Sequence, residues 1–194
     1  FNMKRLLLIL ILTLSFQSWT KADDISDFEI EGMSIGDSLL DYYNKSQIKS
    51  FLQDNYPGSK KFYIKYAHSN RFEIYESVTI ALKKNSYKIY GLSGVIAMDN
   101  FDNCLQRKKK IINEISLIYS TNNTDRGTIK IQDLTDNTSL RNQTEMLLEN
   151  NVGLFSVQCT DWSKKSEKKY NWTDNLSVSV YSKEYENFLR NEAY

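Results

Sequence analysis

Apolar and polar positions alternate, cluster and recur along the chain in patterns that predict its elements. Leu6 to Phe16 form an almost unbroken apolar run. Phe28-Glu-Ile-Glu alternates as a short strand would. Ile35, Leu39, Tyr42 and Tyr43 recur at helical spacing, behind a Ser34/Asp37 pair spaced like a capping box, so a helix over 35–43 is expected. A second short helix is expected from Ser46, with Ile48, Phe51 and Leu52 on one face, and Asn55-Tyr-Pro-Gly reads as a turn. Residues 62–66, 72–82 and 87–98 are rich in Tyr, Ile, Val and Phe and partly alternate, which predicts three strands. Lys83-Lys-Asn-Ser is the hairpin between the last two. Gly91 and Gly94 in the third run point to a bulge or a close approach.

The strongest helical period runs over 103–119, where Leu105, Lys108, Ile112, Ile115 and Tyr119 are joined by Ile111 and Ile118. A long loop is expected over 120–145, disordered apart from a strand at 128–132. Strands are predicted at 153–159 and at 176–181, where Val178 and Val180 alternate cleanly. A closing helix over 183–191 has Ser182 as its N-cap. Consecutive strands with short turns predict an α+β fold: one antiparallel sheet with helices packed on one face, in a single domain over 23–194.

The first apolar run changes the setting of everything after it. Lys4-Arg5 precede it, Gln17-Ser18 end it, and Thr20-Lys21-Ala22 offers small residues for cleavage. Residues 1–22 therefore read as a secretory signal peptide starting at Met3. The run is too short for a membrane-spanning helix, which needs about 20 apolar residues, and no transmembrane helix is expected in the mature chain. The expected location is the periplasm or the exterior. The 25 basic residues become 22 once Lys4, Arg5 and Lys21 leave, against an unchanged 24 acids, so the mature chain carries −2. That balance gives no electrostatic case for nucleic acid. An exported setting also favours a disulfide between the two cysteines, Cys104 and Cys159, closing a loop of about 55 residues worth roughly 4 kcal/mol of chain entropy.

Candidate chemistry is thin. Gly36-Asp37-Ser38-Leu39 resembles the signature of the GDSL esterases, in which the serine is the nucleophile. That family places an Asp-x-x-His near its C-terminus, and here the one histidine is His68. A hydrolase using Ser38 or His68 is thus the alternative reading. No cofactor, metal site or catalytic set is indicated. The segment that invites binding is Trp162-Ser-Lys164-Lys165-Ser-Glu-Lys-Lys-Tyr170-Asn-Trp172, where aromatic rings and lysines interleave as in loops that hold sugars or anionic groups. The leading expectation is a non-catalytic envelope module that binds a protein or a glycan. Arg107-Lys-Lys-Lys110 reads as a solvated helix face.

Ile30-Glu-Gly-Met-Ser-Ile-Gly-Asp-Ser-Leu-Leu-Asp-Tyr42, Tyr87-Lys-Ile-Tyr-Gly-Leu-Ser-Gly-Val-Ile96, Asp161-Trp162 and Trp172-Thr-Asp-Asn175 resemble a family of small exported proteins of planktonic marine bacteria. That resemblance implies export and supplies no activity. More loosely, Gly32-Met-Ser34 before a short helix and strands is similar to the small outer-membrane assembly proteins of the BamE/SmpA type. Those proteins imply an envelope role and carry a lipid-anchoring cysteine that this chain lacks.

Overall fold

The computed structural model describes residues 24–132 and 135–194. The expected signal peptide lies outside them. A 3₁₀ turn at Ile25–Asp27 leads into a two-stranded ribbon, β1 (Glu29–Ile30) and β2 (Met33–Ser34). The remaining strands form one antiparallel sheet: β3 (Leu52–Asn55), β4 (Phe62–Ala67), β5 (Ser77–Lys83), β6 (Ile89–Ala97), β7 (Thr121–Lys130), β8 (Leu140–Leu148), β9 (Gly153–Asp161) and β10 (Asn175–Ser182). Their order is β3-β4-β5-β6-β10-β9-β8-β7. This is the expected α+β class.

Two four-stranded meanders, β3 to β6 and β7 to β10, meet edge to edge through their last strands. A helix precedes each: α1 (Lys45–Ser50) and α2 (Phe101–Ile118). Both send side chains into the core on one face of the sheet, Ile48 from α1 and Cys104 and Ile115 from α2. The topology thus repeats where the sequence shows no repeat. A third helix, α3 (Lys164–Tyr170), bridges β9 and β10. The fourth, α4 (Lys183–Asn191), turns under the sheet and packs Tyr185 and Phe188 against Phe62 and Ala81 on the opposite face. The expected one-sided arrangement holds for α1 and α2, and α4 adds a smaller layer on the other side.

Gly91 and Gly94 of β6 explain how both layers come so close. A Cβ on Gly94 would meet the Tyr75 ring at 2.4 Å, and one on Gly91 would meet the Tyr185 ring at 2.6 Å. The two positions point to opposite faces, so each glycine admits an aromatic ring from one layer. The Cys104–Cys159 disulfide forms, with Cα atoms 5.9 Å apart, and ties α2 to β9.

Several local expectations change. Residues 35–43 are a turn and a short 3₁₀ segment, Leu39–Asp41, capped by Ser38. The Asp37 carboxylate does accept the Ser34 N–H, at 2.9 Å, but it closes a turn there. Gly36, at φ +100°, interrupts the helical path. Residues 120–145 hold β7 and the start of β8, paired from Thr121↔Leu148 to Lys130↔Leu140 with a shift between Asp125 and Thr128. Residues 72–76 are a loop, and β5 starts at Ser77. Glu31 fixes that loop by accepting the backbone N–H groups of Glu73, Ile74 and Tyr75 at 2.8–2.9 Å. Burial raises the Glu31 pKa, but these donors outweigh it and hold the carboxyl below its ordinary range. Lys108 is not solvated: it is 5% exposed and reaches Asn142 and, at 3.6 Å, Asp125.

Candidate functional site

The face opposite α2 changes character along its length. At the α4 end it is apolar: Phe62, Ala81, Tyr185 and Phe188 pack together with Ile64 and Leu189. Beyond α4, register aligns polar residues in rows across the strands. Glu145, Ser156, Ser179, Ser93 and Thr79 form one row. Gln143, Gln158 and Ser177 form the next. Arg141, Thr160 and Asn175 form the third. Thr79, Ser93, Ser156 and Glu145 of the first row, Gln143 and Gln158 of the second and Arg141 of the third line, with α4, a cleft of about 520 Å³ that runs from Ile64 on β4 to Arg141 on β8.

Hydrogen bonds within the face set its chemistry. The Ser179 hydroxyl donates to Ser93 at 2.8 Å. The Gln143 side-chain amide donates to the Ser156 hydroxyl, and that of Gln158 to Thr160, both at 3.0 Å. Tyr56 and Tyr185 share a hydrogen bond between their hydroxyls. Burial pushes the Tyr56 phenol up to about 12, and burial with the neighbouring Tyr56 pushes Tyr185 well above the ordinary range, so both stay protonated. Glu145 is held by Arg126 at 2.7 Å and Arg190 at 3.2 Å, and Glu186 by Arg190 and Lys183, both at 2.9 Å. Burial raises the Glu145 pKa, and the two arginines reverse that and keep it low. Arg141 has no ion pair among the described residues.

The residues singled out by sequence lie elsewhere or do other work. Trp162, Tyr170 and Trp172 come together, half-buried, at the end of the sheet away from α4. Trp172 is the shared ring, with centroids 4.3 Å from Trp162 and 4.6 Å from Tyr170. Lys169 lies over Tyr170 at 4.9 Å. The intervening residues form α3, capped by Ser163 and anchored by buried Ser166. Asp174 accepts the Trp162 N–H at 2.7 Å. Lys164 is exposed and pairs with Glu167 at 2.8 Å, and Lys165 is exposed. The rings are therefore packed on each other, and the lysines point to solvent on the helix.

Ser38 accepts the Leu40 N–H at 3.3 Å as a cap and bridges to Lys88, just before β6 begins. His68 is exposed and follows Ala67, which pairs with Val78, itself opposite Gly94. The register thus sets Ser38 and His68 near opposite ends of the sheet, roughly 20 Å apart along the strands at about 3.4 Å per residue. They form no nucleophile–base pair.

Sequence reasoning missed the polar face. Its signal was present in Leu176-Ser-Val-Ser-Val-Tyr and Phe155-Ser-Val-Gln-Cys-Thr, where every second residue is Ser, Gln, Thr or Tyr. Those side chains mark a face that α4 covers only in part. Comparison with known proteins adds no relative: no family model matches the chain, and no curated protein is significantly similar to it.

Proposed function

We propose that this protein is an exported, non-catalytic recognition module that binds a partner protein on the polar half of its sheet. The observation that carries this reading is the cleft beside α4, floored by aligned Ser, Thr and Gln side chains from neighbouring strands. A wide, pre-formed, hydrogen-bonding floor beside an aromatic bank suits recognition. The short apolar leader and the Cys104–Cys159 bridge support an oxidising, exported setting. Recognition by the 162–172 segment has less support, because its three rings are occupied with one another.

A photo-crosslinking amino acid at Gln158, inside the cleft, should trap one partner in the native cells. The same probe at exposed Lys109 on α2 should not. Equal adducts at both positions, or none at Gln158, would refute the reading. Mass spectrometry of the purified native protein should find Asp23 at its N-terminus, and a retained Met3 would remove the cleaved-leader part.

A further inference from the structure

Arg141 carries a cost that the fold does not recover. It stands half-buried on β8, and its Nε is closed off from solvent with no hydrogen-bond partner. The nearest carboxylate on its own face of β8 is Glu145, four residues and roughly 13 Å of strand away, already held by Arg126 and Arg190. Asp161 pairs with Leu140 and so points to the other face. Burial pulls the Arg141 guanidinium below its ordinary pKa, and the phenols of Tyr194 and Tyr181 only partly offset that. A half-buried cation with no counter-charge among the described residues is destabilising unless a ligand supplies one.

The shape of the cleft says what kind of ligand. From Ile64 on β4 to Arg141 on β8 it crosses β5, β6, β10 and β9. Five strand spacings make about 24 Å, which an extended chain covers in roughly seven residues. Within the aromatic bank, Tyr56 is met edge-on by Tyr185, Phe188 and Tyr194 at 6.4, 5.1 and 6.0 Å, and Tyr181 meets Tyr185 edge-on at 5.5 Å, while Tyr194 itself stays exposed. The amide nitrogens of Gln143 and Gln158 are engaged within the face. Their amide oxygens are left to accept backbone N–H groups.

We propose that the cleft holds an extended, acidic segment of the partner protein, with one carboxylate of that segment docked on the Arg141 guanidinium. This rests on the reading that the partner binds the polar half of the sheet. With Nε closed off, the two terminal nitrogens of Arg141, which make no hydrogen bond among the described residues, are the parallel donors that a carboxylate in the cleft would take.

The test uses fluorescein-labelled heptapeptides of Ala, Ser and Tyr with a single Glu stepped through all seven positions. Each has a Gln counterpart, and binding is read by fluorescence polarisation. One register should favour Glu over Gln by about tenfold, the size of one charge-assisted contact. Arg141→Gln should erase that preference and leave Gln-peptide binding within about twofold, and Arg141→Lys should keep part of it. Glu and Gln peptides bound alike, a preference that survives Arg141→Gln, or no peptide binding at all would overturn the proposal. So would free glutarate competing as strongly as the peptide, since a small carboxylate would then be the ligand. Thr79→Arg, at the far end of the cleft, separates the two readings: it should weaken Glu and Gln peptides alike. If it has no effect while the Glu preference persists, the peptide lies outside the cleft and the sheet-face reading fails with it. Thermal melts of each variant report whether it folds.

Discussion

The two faces of the sheet are made by the same strands and do opposite things. On β10, Leu176, Val178 and Val180 are almost completely buried against the core, while Ser177, Ser179 and Tyr181 face the other way. On β9, Phe155, Val157 and Cys159 join the core, while Ser156, Gln158 and Thr160 line the polar rows. The apolar face is covered by α1, α2 and the N-terminal ribbon and is closed by the disulfide. The polar face is covered at the α4 end, and its remainder is a cleft. Strand alternation allows this division, because one face can fix the fold while the other is free to meet a ligand. Substitutions should therefore cost stability on the first face and binding on the second.

The largest effect should come from opening the disulfide on the covered face. Cys104→Ala with Cys159→Ala should lower stability by about 4 kcal/mol, the entropy of closing a loop of this length. Urea unfolding reads this directly, and addition of reductant to the native protein should give a similar loss. A loss under about 1 kcal/mol would mean that packing of α2 on β9 suffices without the bridge.

Phe188→Ala tests the covered end of the other face. Phe188 is fully buried, with its ring 4.9 Å from Phe62 and 5.1 Å from Tyr56. Its truncation should cost about 3 kcal/mol, and because Tyr56 and Tyr185 form one bank of the cleft, peptide binding should fall as well. Unchanged binding in a folded Phe188→Ala protein would separate the α4 layer from the cleft and blunt the comparison.

How far the sequence reveals these two faces depends on how local each signal is. The helical stripe of α2, the alternation in β10 and the Ser182 cap of α4 are local patterns, and they were legible. The region 35–43 was misleading, because its apolar spacing is helical while Gly36 takes a positive φ and Ser38 caps a 3₁₀ turn. The first part of β7 was illegible for a different reason, although its end at 128–130 lies within the expected strand: Thr121-Asn-Asn-Thr-Asp-Arg-Gly is polar throughout, and it is a strand because β8 pairs with it along the sheet edge. Charges and a bulge suit an exposed edge and look like a loop. The candidate site was the least visible. Arg141 matters because of where β8 lands in the strand order, which depends on β10 docking beside β6 across the whole chain.

Glu31→Gln probes how the covered face holds its rim. Loss of the charge-assisted contacts to the 73–75 loop should cost about 1 kcal/mol at neutral pH. The pH dependence gives a sharper reading. The folded-state pKa of Glu31 lies below its ordinary 4.5, so its contribution is fully present above about pH 4.5 and is lost as pH falls through the lower folded value. The wild type should lose stability through that window faster than Glu31→Gln, and urea midpoints followed from neutral pH down through and below the ordinary carboxylate range measure the difference. Parallel curves would mean that the carboxylate is equally hydrated when folded and unfolded.

The smallest stability effect, and the one that separates the two faces most cleanly, should be Arg141→Met. On the covered face, removing a buried group leaves a cavity or an orphaned partner. Here the removed guanidinium has no ion pair among the described residues, and its Nε donates to nothing. Met keeps most of the stem's contacts and brings no charge to desolvate, so the change should fall within about 0.5 kcal/mol of zero, on the stabilising side. Urea unfolding and thermal melts decide it. A loss above about 1 kcal/mol would mean that the cation holds β8 in place. A neutral or positive result joined to loss of the Glu preference would make Arg141 a group kept for its ligand at the expense of the fold.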